Sequence, residues 1–320
     1  MELTQAISDW RSRGFAILPC YLPDEVLAPA VAELELMFPS AEGFDDGGDP
    51  RRGRFVGDEF AGIDSFPFAS TEISLLAVQD RLVQLARTLL HGDDVRIYSA
   101  EAWAKYTGAN DYDQELHRDY LNHTLVVPTC GTEQQQVEMF VYLVDVPEDL
   151  GPPHLVPADH TADLPAKPNW YPRHDPSGAS DVDADAPGGF LAPARPELYE
   201  REVSAAGPAG TVVAFELGTF HRGTAVTRPG GARYTMHLGF RRAEVEWSNR
   251  TGWANRSHDP AWYRFVERAS PAQLELFGFP PPGHPYWTPH TLDGTALRYP
   301  GLDLSPWRTR LDTAVRDPSW

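Results

Sequence analysis

His117-Arg118-Asp119 places an imidazole and a carboxylate at alternate positions of the chain. On a β-strand, residues i and i+2 project to the same side, about 6.5–7 Å apart. One metal ion can accept both side chains. A further histidine, His221, stands in Phe220-His221-Arg222-Gly223, just after the strand-like run Gly210 to Phe215. Taken alone, H-x-D is a weak signal, because many such tripeptides are surface pairs or structural hydrogen bonds. Its weight comes from the second histidine, on a second predicted strand, and from a basic residue beyond it.

That basic residue is Arg233, twelve positions after His221. Two imidazoles and one carboxylate on one face of an octahedron leave three positions open, the donor set of non-heme Fe(II) oxygenases. A dicarboxylate co-substrate that chelates such a metal through its keto acid end leaves its second carboxylate to be held deeper in the fold. A planar guanidinium grips a carboxylate through two parallel hydrogen bonds, which an ammonium cannot do. Arg228 competes for this role, but it adjoins Pro229-Gly230-Gly231 and is expected on a hairpin turn. Arg233 begins the strand that runs through Tyr234 to Phe240 and can point inward.

Other candidates weigh less. His123 is expected to be a supporting or surface histidine. With His117 and Asp119 it also defines a zinc-hydrolase alternative. That alternative has no placed general base and leaves Arg233 unexplained. His154 and His160 flank Pro157 and are expected in loops, and Glu115 is one acid among many. Trp103, Tyr120, Tyr142 and Trp170 are candidates to line a substrate pocket, against the commoner fate of aromatics, which is core.

The elements that must position these residues follow from periodicity. Residues 3–12 read as a helix and Phe15 to Leu18 as a short strand. Pro23 and Asp24 open a second helix with Leu27, Ala30 and Leu34 on one face. A Gly/Asp-rich loop is expected from Ala41 to Arg54. Ser70 or Thr71 then caps one long helix that ends at Gly92. From Val95 the period shifts toward two, predicting strands at Val95 to Lys105, Gln135 to Val146, Thr211 to Phe215 and Tyr234 to Phe240. Thr161 to Gly207 lacks strong periodicity and reads as a lid or insertion, with 175–189 poorly ordered on composition. Asp259-Pro260 and Ser270-Pro271 open two helices, and the chain is expected to end in aromatic loops around Trp287, Tyr299 and Trp307. This organisation predicts one domain over 1–320. A helical support (1–92) precedes the strand-rich core (93–242), which carries the 161–207 insertion, and a helical and aromatic extension (243–320) follows.

Composition narrows the partners. Lys plus Arg is 27 against 46 Asp plus Glu, a formal net charge of −19. That balance opposes nucleic acid and anionic membranes as partners. No apolar run is long enough to span a bilayer, and the first residues lack the apolar stretch of a secretory signal, so a cytoplasmic location is expected. Cys20 and Cys130 are the only cysteines, too few for a disulfide framework or a thiolate zinc site. The sequence carries no signal for oligomeric state.

Gly14-Phe15-Ala16-Ile17-Leu18-Pro19, Leu22-Pro23-Asp24-Glu25, the His117/Asp119 pair, Val156-Pro157-Ala158-Asp159-His160, His221, Arg233 and the segment Leu276 to Trp287 follow one another along the chain. Together they resemble the phytanoyl-CoA dioxygenase family of Fe(II)/2-oxoglutarate-dependent oxygenases, over nearly the whole length. Val156 to His160 is similar to the family's Pro-Gly-Ser-His segment, and Leu276 to Trp287 to the tail of many bacterial members. The resemblance implies a mainly β fold with buttressing helices, a double-stranded β-helix or cupin-like jelly roll. It implies Fe(II) held by His117, Asp119 and His221, 2-oxoglutarate as co-substrate, and O2 as oxidant.

The same resemblance places Arg233, Lys105 and Gly223 at the co-substrate. Lys105 is similar to a family lysine on the strand entering the site. Gly223 stands where many members carry serine, so one hydroxyl contact to 2-oxoglutarate is expected to be missing. The family's acidic Gly-Asp before the distal-histidine strand is Ala209-Gly210 here. Related halogenases replace the carboxylate by a small residue, which opens a position for chloride. Retention of Asp119 therefore favours hydroxylation or a related oxidation of an unactivated C–H in a small molecule, with release of succinate and CO2. The alternative is a jelly roll that binds metal or ligand without catalysis, and the four intact key positions weigh against it.

Overall fold

The computed structural model describes residues 3–58, 60–119, 123–125, 135–165, 169–174, 192–248, 256 and 258–316. Two antiparallel sheets form a double-stranded β-helix. The larger sheet runs, in spatial order, β1 (Phe15–Leu18), β9 (Val212–Phe215), β5 (Gln136–Tyr142), β11 (Ala232–Arg242), β3 (Val95–Tyr106) and β2 (Asp64–Ser65). The smaller runs β7 (Trp170–Tyr171), β4 (Leu116–His117), β10 (His221–Gly223), β6 (Pro153–Leu155) and β8 (Val203–Ser204).

Alternation on the larger sheet separates chemistry from core. On β11, Arg233, Thr235 and His237 line an internal cavity, while Tyr234, Met236, Leu238 and Phe240 join the main apolar core. On β3 the inward row is Ser99, Glu101, Trp103 and Lys105, and the outward row is Ala100, Ala102, Ala104 and Tyr106. Successive side chains of a strand must take opposite faces, so one strand serves both purposes. The register between β11 and β3 shifts at Gly239/Phe240. A Cβ on Gly239 would lie 2.7 Å from Tyr98 Cζ, so the glycine leaves room for the Tyr98 ring that reaches the cavity.

Helices bury the outer face of this sheet. α1 (Leu3–Arg13) contributes Ala6 and Trp10, and α2 (Asp24–Ala32) contributes Leu27 and Ala30. The short α3 (Leu34–Met37) and α4 (Ala41–Asp45) add Met37 and Phe44. α5 (Thr71–Leu76) and α6 (Asp80–Leu90) supply Ile73, Leu82, Leu85 and Leu89, and α6 lies against β3, β5 and β11. The one-turn α7 (Pro196–Tyr199) packs Leu198 with Leu116 and Phe220 under the smaller sheet. From the C-terminal region, α8 (Pro260–Arg268), α9 (Pro271–Glu275) and α10 (Pro289–Arg298) add Trp262, Phe265, Leu274 and Leu292. α11 (Ser305–Arg316) follows, with Trp307 in the same core. Among the described residues no helix is long and apolar enough to cross a membrane.

Four local expectations are corrected. The helix from Ser70 to Gly92 is two helices: Ser70 caps α5 by accepting from Ile73 N at 3.0 Å, and Gln79 caps α6 by accepting from Arg81 N at 2.6 Å. His91, not Gly92, takes the left-handed position at the end of α6, with φ 50°. The Ala41 to Arg54 loop contains α4 and a 3-10 turn at Arg52–Phe55, because the Ser40 hydroxyl accepts from Gly43 N at 3.1 Å and starts a turn. The C-terminal aromatic loops hold α10 and α11, the first started by a capping box between Thr288 and Thr291. The expectations for 175–189 and Tyr120 lie outside the described residues; the described parts of the 161–207 insertion hold α7 and both edge strands of the smaller sheet, β7 and β8.

Candidate active site

β4 and β10 pair antiparallel with His117 directly opposite His221. Their ring centroids are therefore 4.6 Å apart. The strand at His117 is shorter than H-x-D alternation requires: β4 stops at His117, and Asp119 lies just past its end. Arg118 N donates to Asn169 O at 3.1 Å, which carries the chain round beside Trp170. Asp119 still returns to the same focus. Its Oδ1 is 3.5 Å from His117 Nε2 and its Oδ2 is 3.2 Å from His221 Nε2. One ligand atom from each of the three lies within 4.8 Å of the others.

Backbone carbonyls set the tautomers. Nδ1 of His117 lies 2.8 Å from Glu115 O, and Nδ1 of His221 lies 3.1 Å from Thr219 O. A carbonyl only accepts, so each Nδ1 carries a proton and each Nε2 is the ring nitrogen turned to the focus. Burial, with His221 adding to it, pushes the His117 imidazole down to about 4, so it is a neutral donor at pH 7. Burial alone would raise the Asp119 carboxyl, but His221 and His117 reverse this and hold it well below the usual carboxylate range. Trp170, paired with His117 across β7 and β4, stacks on its ring at 4.2 Å and 16°. Phe215 packs on His221 at 4.6 Å.

Behind this focus is a cavity of about 430 Å³. Arg233 and Lys105 are register partners on β11 and β3, so two cations stand side by side in its wall. Arg233 is 7% and Lys105 5% exposed. Among the described residues, Nε and Nη1 of Arg233 are buried with no hydrogen-bond acceptor. Burial pulls the guanidinium down to about 10. A buried charge left this way is costly without an anion beside it, and these walls are ready for one. Tyr142 and Thr235 line the same wall.

On the other side of Asp119 is a second cluster that sequence reasoning missed. Glu138, fully buried on β5, has Oε1 3.1 Å from His123 Nδ1 and Oε2 3.0 Å from His237 Nε2. It also accepts from the Tyr98 hydroxyl. Asp119, His123 and His237 have ligand atoms within 4.8 Å of one another. Burial opposes charge on His237, but the Glu138 carboxylate outweighs it and holds the imidazole up at about 9. The available signal was alternation. His237 shares the inward row of Arg233, and Glu138 is the acid in an otherwise apolar strand interior.

The remaining candidates are placed apart or in support. His154 pairs with Glu202 and Glu148, and His160 lies beside Asp159 on the surface. Glu115 accepts from Arg173 N at 2.9 Å and from the Tyr199 hydroxyl, bracing the loop before β4. Arg228 is exposed and pairs with Asp149 at 2.8 Å. Trp103, Tyr142 and Trp170 line the cavity.

A double-stranded β-helix that gathers a His-Asp-His focus beside a buried guanidinium, unpaired among the described residues, defines a class of ligand-handling jelly rolls rather than a purely structural barrel. Residues 10–233 match the phytanoyl-CoA dioxygenase family, and the chain belongs to that family of Fe(II)/2-oxoglutarate-dependent oxygenases. No curated protein matches the sequence. Among solved structures, the epimerase SnoN, in complex with Fe3+, alpha ketoglutarate and nogalamycin RO, is similar with a TM-score of 0.53 and 20% identity, over 81% of this chain and 90% of that one. The alpha ketoglutarate dependent carbocyclase SnoK from nogalamycin biosynthesis is similar with a TM-score of 0.50 and 17% identity, over 79% of this chain and 89% of that one. At such identity the likeness establishes the fold.

Proposed function

We propose that this chain is an Fe(II)/2-oxoglutarate-dependent oxygenase that hydroxylates an unactivated C–H bond of a small molecule, releasing succinate and CO2. The observation that carries the reading is the convergence of two imidazole Nε2 atoms and one carboxylate, whose ligand atoms lie within 4.8 Å of one another. This donor set fits a ferrous ion and leaves positions open to other ligands. His117, Asp119 and His221 would hold the metal, which supplies the O2-dependent oxidation when bound. Asp119 fills the position that a halide would need, and this supports hydroxylation over halogenation.

The protein's own residues do the rest. Arg233, with Lys105 beside it, anchors the far carboxylate of 2-oxoglutarate and ends its isolation as an unpaired buried charge. Glu115 O and Thr219 O fix the two metal-facing rings. Trp170 and Phe215 cover those rings from water. Trp103, Tyr98, His123 and His237 form the wall left for a small-molecule substrate, and Glu101 holds the Trp103 indole at 3.1 Å.

The test is anaerobic loading with Fe(II) and 2-oxoglutarate, followed by O2 and measurement of succinate. Slow substrate-independent succinate release is expected from wild type and none from His117→Ala. Wild-type protein that binds neither Fe(II) nor 2-oxoglutarate refutes the reading.

A further inference from the structure

The inward row of β3 changes sign along its length: Lys105 is followed by Trp103 and then by Glu101. Lys105 faces Arg233 across the register and Glu101 faces His237, so the cavity has a cationic end, which Gly223 also lines, and a carboxylate beyond it. Trp103 Nε1 donates to Glu101 Oε2 at 3.1 Å. Among the described residues Glu101 Oε1 has no hydrogen-bond partner and the carboxylate forms no ion pair, since His237 is held by Glu138 at 3.0 Å instead. Phe60 and Tyr112, both half exposed, line the same cavity, and Phe60 meets Trp103 edge-on with ring centroids 6.5 Å apart. From the smaller sheet's side Asn169, only 1% exposed, lines it too. Asn169 Nδ2 donates to Arg118 O at 3.0 Å, and a carbonyl only accepts, so the two ends of the carboxamide are fixed. Oδ1 is then a buried acceptor without a partner among the described residues.

We propose that the substrate is an organic cation, an amine or ammonium compound, whose charge is taken by Glu101 Oε1 beside the Trp103 and Phe60 rings. This rests on the reading of Arg233 and Lys105 as the 2-oxoglutarate anchor, which leaves the Glu101 end to the substrate. Both free polar atoms there, Glu101 Oε1 and Asn169 Oδ1, accept hydrogen bonds, so the ligand they fit is a donor. A carboxylate drawn partly out of water without a counter-charge is costly, and a cation beside it removes that cost. Aromatic rings attract cations through their quadrupole. The formal net charge of −19 draws cations toward the protein and repels anions before they reach the cavity. An anionic substrate would be set against Glu101, and a neutral one would leave it without a counter-charge.

Three probes of one shape and different charge test this without turnover: hexylammonium, hexanol and hexanoate. Each is titrated calorimetrically into protein already loaded with Ni(II) and 2-oxoglutarate, whose own binding is measured first. Hexylammonium is expected to bind about tenfold or more tighter than hexanol, the scale of one hydrogen bond between charged groups, and hexanoate more weakly than either. Glu101→Gln keeps an oxygen for the Trp103 indole and removes the charge. Hexylammonium and hexanol are expected to bind that variant within about twofold of each other. Hexylammonium that binds wild type no tighter than hexanol, or not at all, overturns the inference and leaves the proposed function standing. So does a preference for hexylammonium that survives in Glu101→Gln. If Glu101→Gln fails to fold, the order of the three probes on wild type decides alone. Wild type that does not bind 2-oxoglutarate removes both readings.

Discussion

Replacing Arg233 by methionine should make the apo protein more stable and the co-substrate site useless. The guanidinium's fall from its ordinary 12.5 to about 10 has burial as its largest cause. At pH 7 arginine is charged in both folded and unfolded chains, so the penalty is fully present. It is relieved only as pH rises through the lowered folded value. Its size is about 3 kcal/mol, taking 1.36 kcal/mol per tenfold. Methionine occupies much of the same stem volume and needs no acceptor, so a net gain of about 1–3 kcal/mol is expected after repacking. Binding should change in the opposite direction. Two charge-assisted hydrogen bonds to a carboxylate, each about 1.5–3 kcal/mol, amount to a loss of roughly 100-fold or more in affinity. Thermal melts with Ni(II), with and without 2-oxoglutarate, read both effects. Wild type should show a lower apo Tm and a large rise on adding 2-oxoglutarate, and Arg233→Met a higher apo Tm and no rise. An Arg233→Met protein that is less stable in the apo form, yet keeps 2-oxoglutarate affinity within a few fold, refutes the reasoning.

Further outcomes follow from the same geometry. Trp170→Ala removes the ring stacked on His117, and metal affinity measured by competition with a chelator should fall about tenfold. Glu202→Gln should destabilise the fold by about 3 kcal/mol in urea, because Glu202 holds the buried Arg222 Nε at 2.6 Å. Glu202 titrates below the ordinary glutamate value, where burial is outweighed by His154 and Arg222, so its contribution is lost as pH falls through that lowered folded value. His154 titrates above the ordinary histidine value through Glu202, so its contribution is complete below that ordinary value and lost as pH rises through the raised one. Tm against pH should therefore show Glu202→Gln converging on wild type in acid and His154→Gln converging in mild alkali.

The candidate metal ligands were legible because their signal is local. H-x-D, a strand-borne histidine and an arginine on the next inward row each follow from short spacing and the two-residue period of a strand. Lys105 and Arg233 were both singled out as candidates, but nothing in either segment announced that register would set them side by side. Glu138, His237 and Asn169 escaped for a related reason. Asn169 and Arg118 are 51 positions apart, and only the pairing of β4 with β7 brings them together. Helix starts at Asp259-Pro260 and Ser270-Pro271 were read from their caps. Thr288-Pro289 carries the same signature but lies among aromatics that mask helical period. The break at Gln79 rests on a cap that glutamine provides less often than serine or aspartate, so the two helices read as one.

Asp119 stands at the meeting point of two imidazole pairs, His117 with His221 and His123 with His237. Trimming it to a small residue, the exchange that in related halogenases vacates a seat for chloride, leaves the His123 imidazole, which burial pushes down to about 4 and so keeps neutral, beside the empty seat, while His237 stays charged against Glu138. Imidazole suits ferrous iron, so the protein itself is expected to refill the gap before an anion arrives. Turning this barrel toward chlorination would take the removal of His123 along with the aspartate, two edits where a barrel without that imidazole needs one.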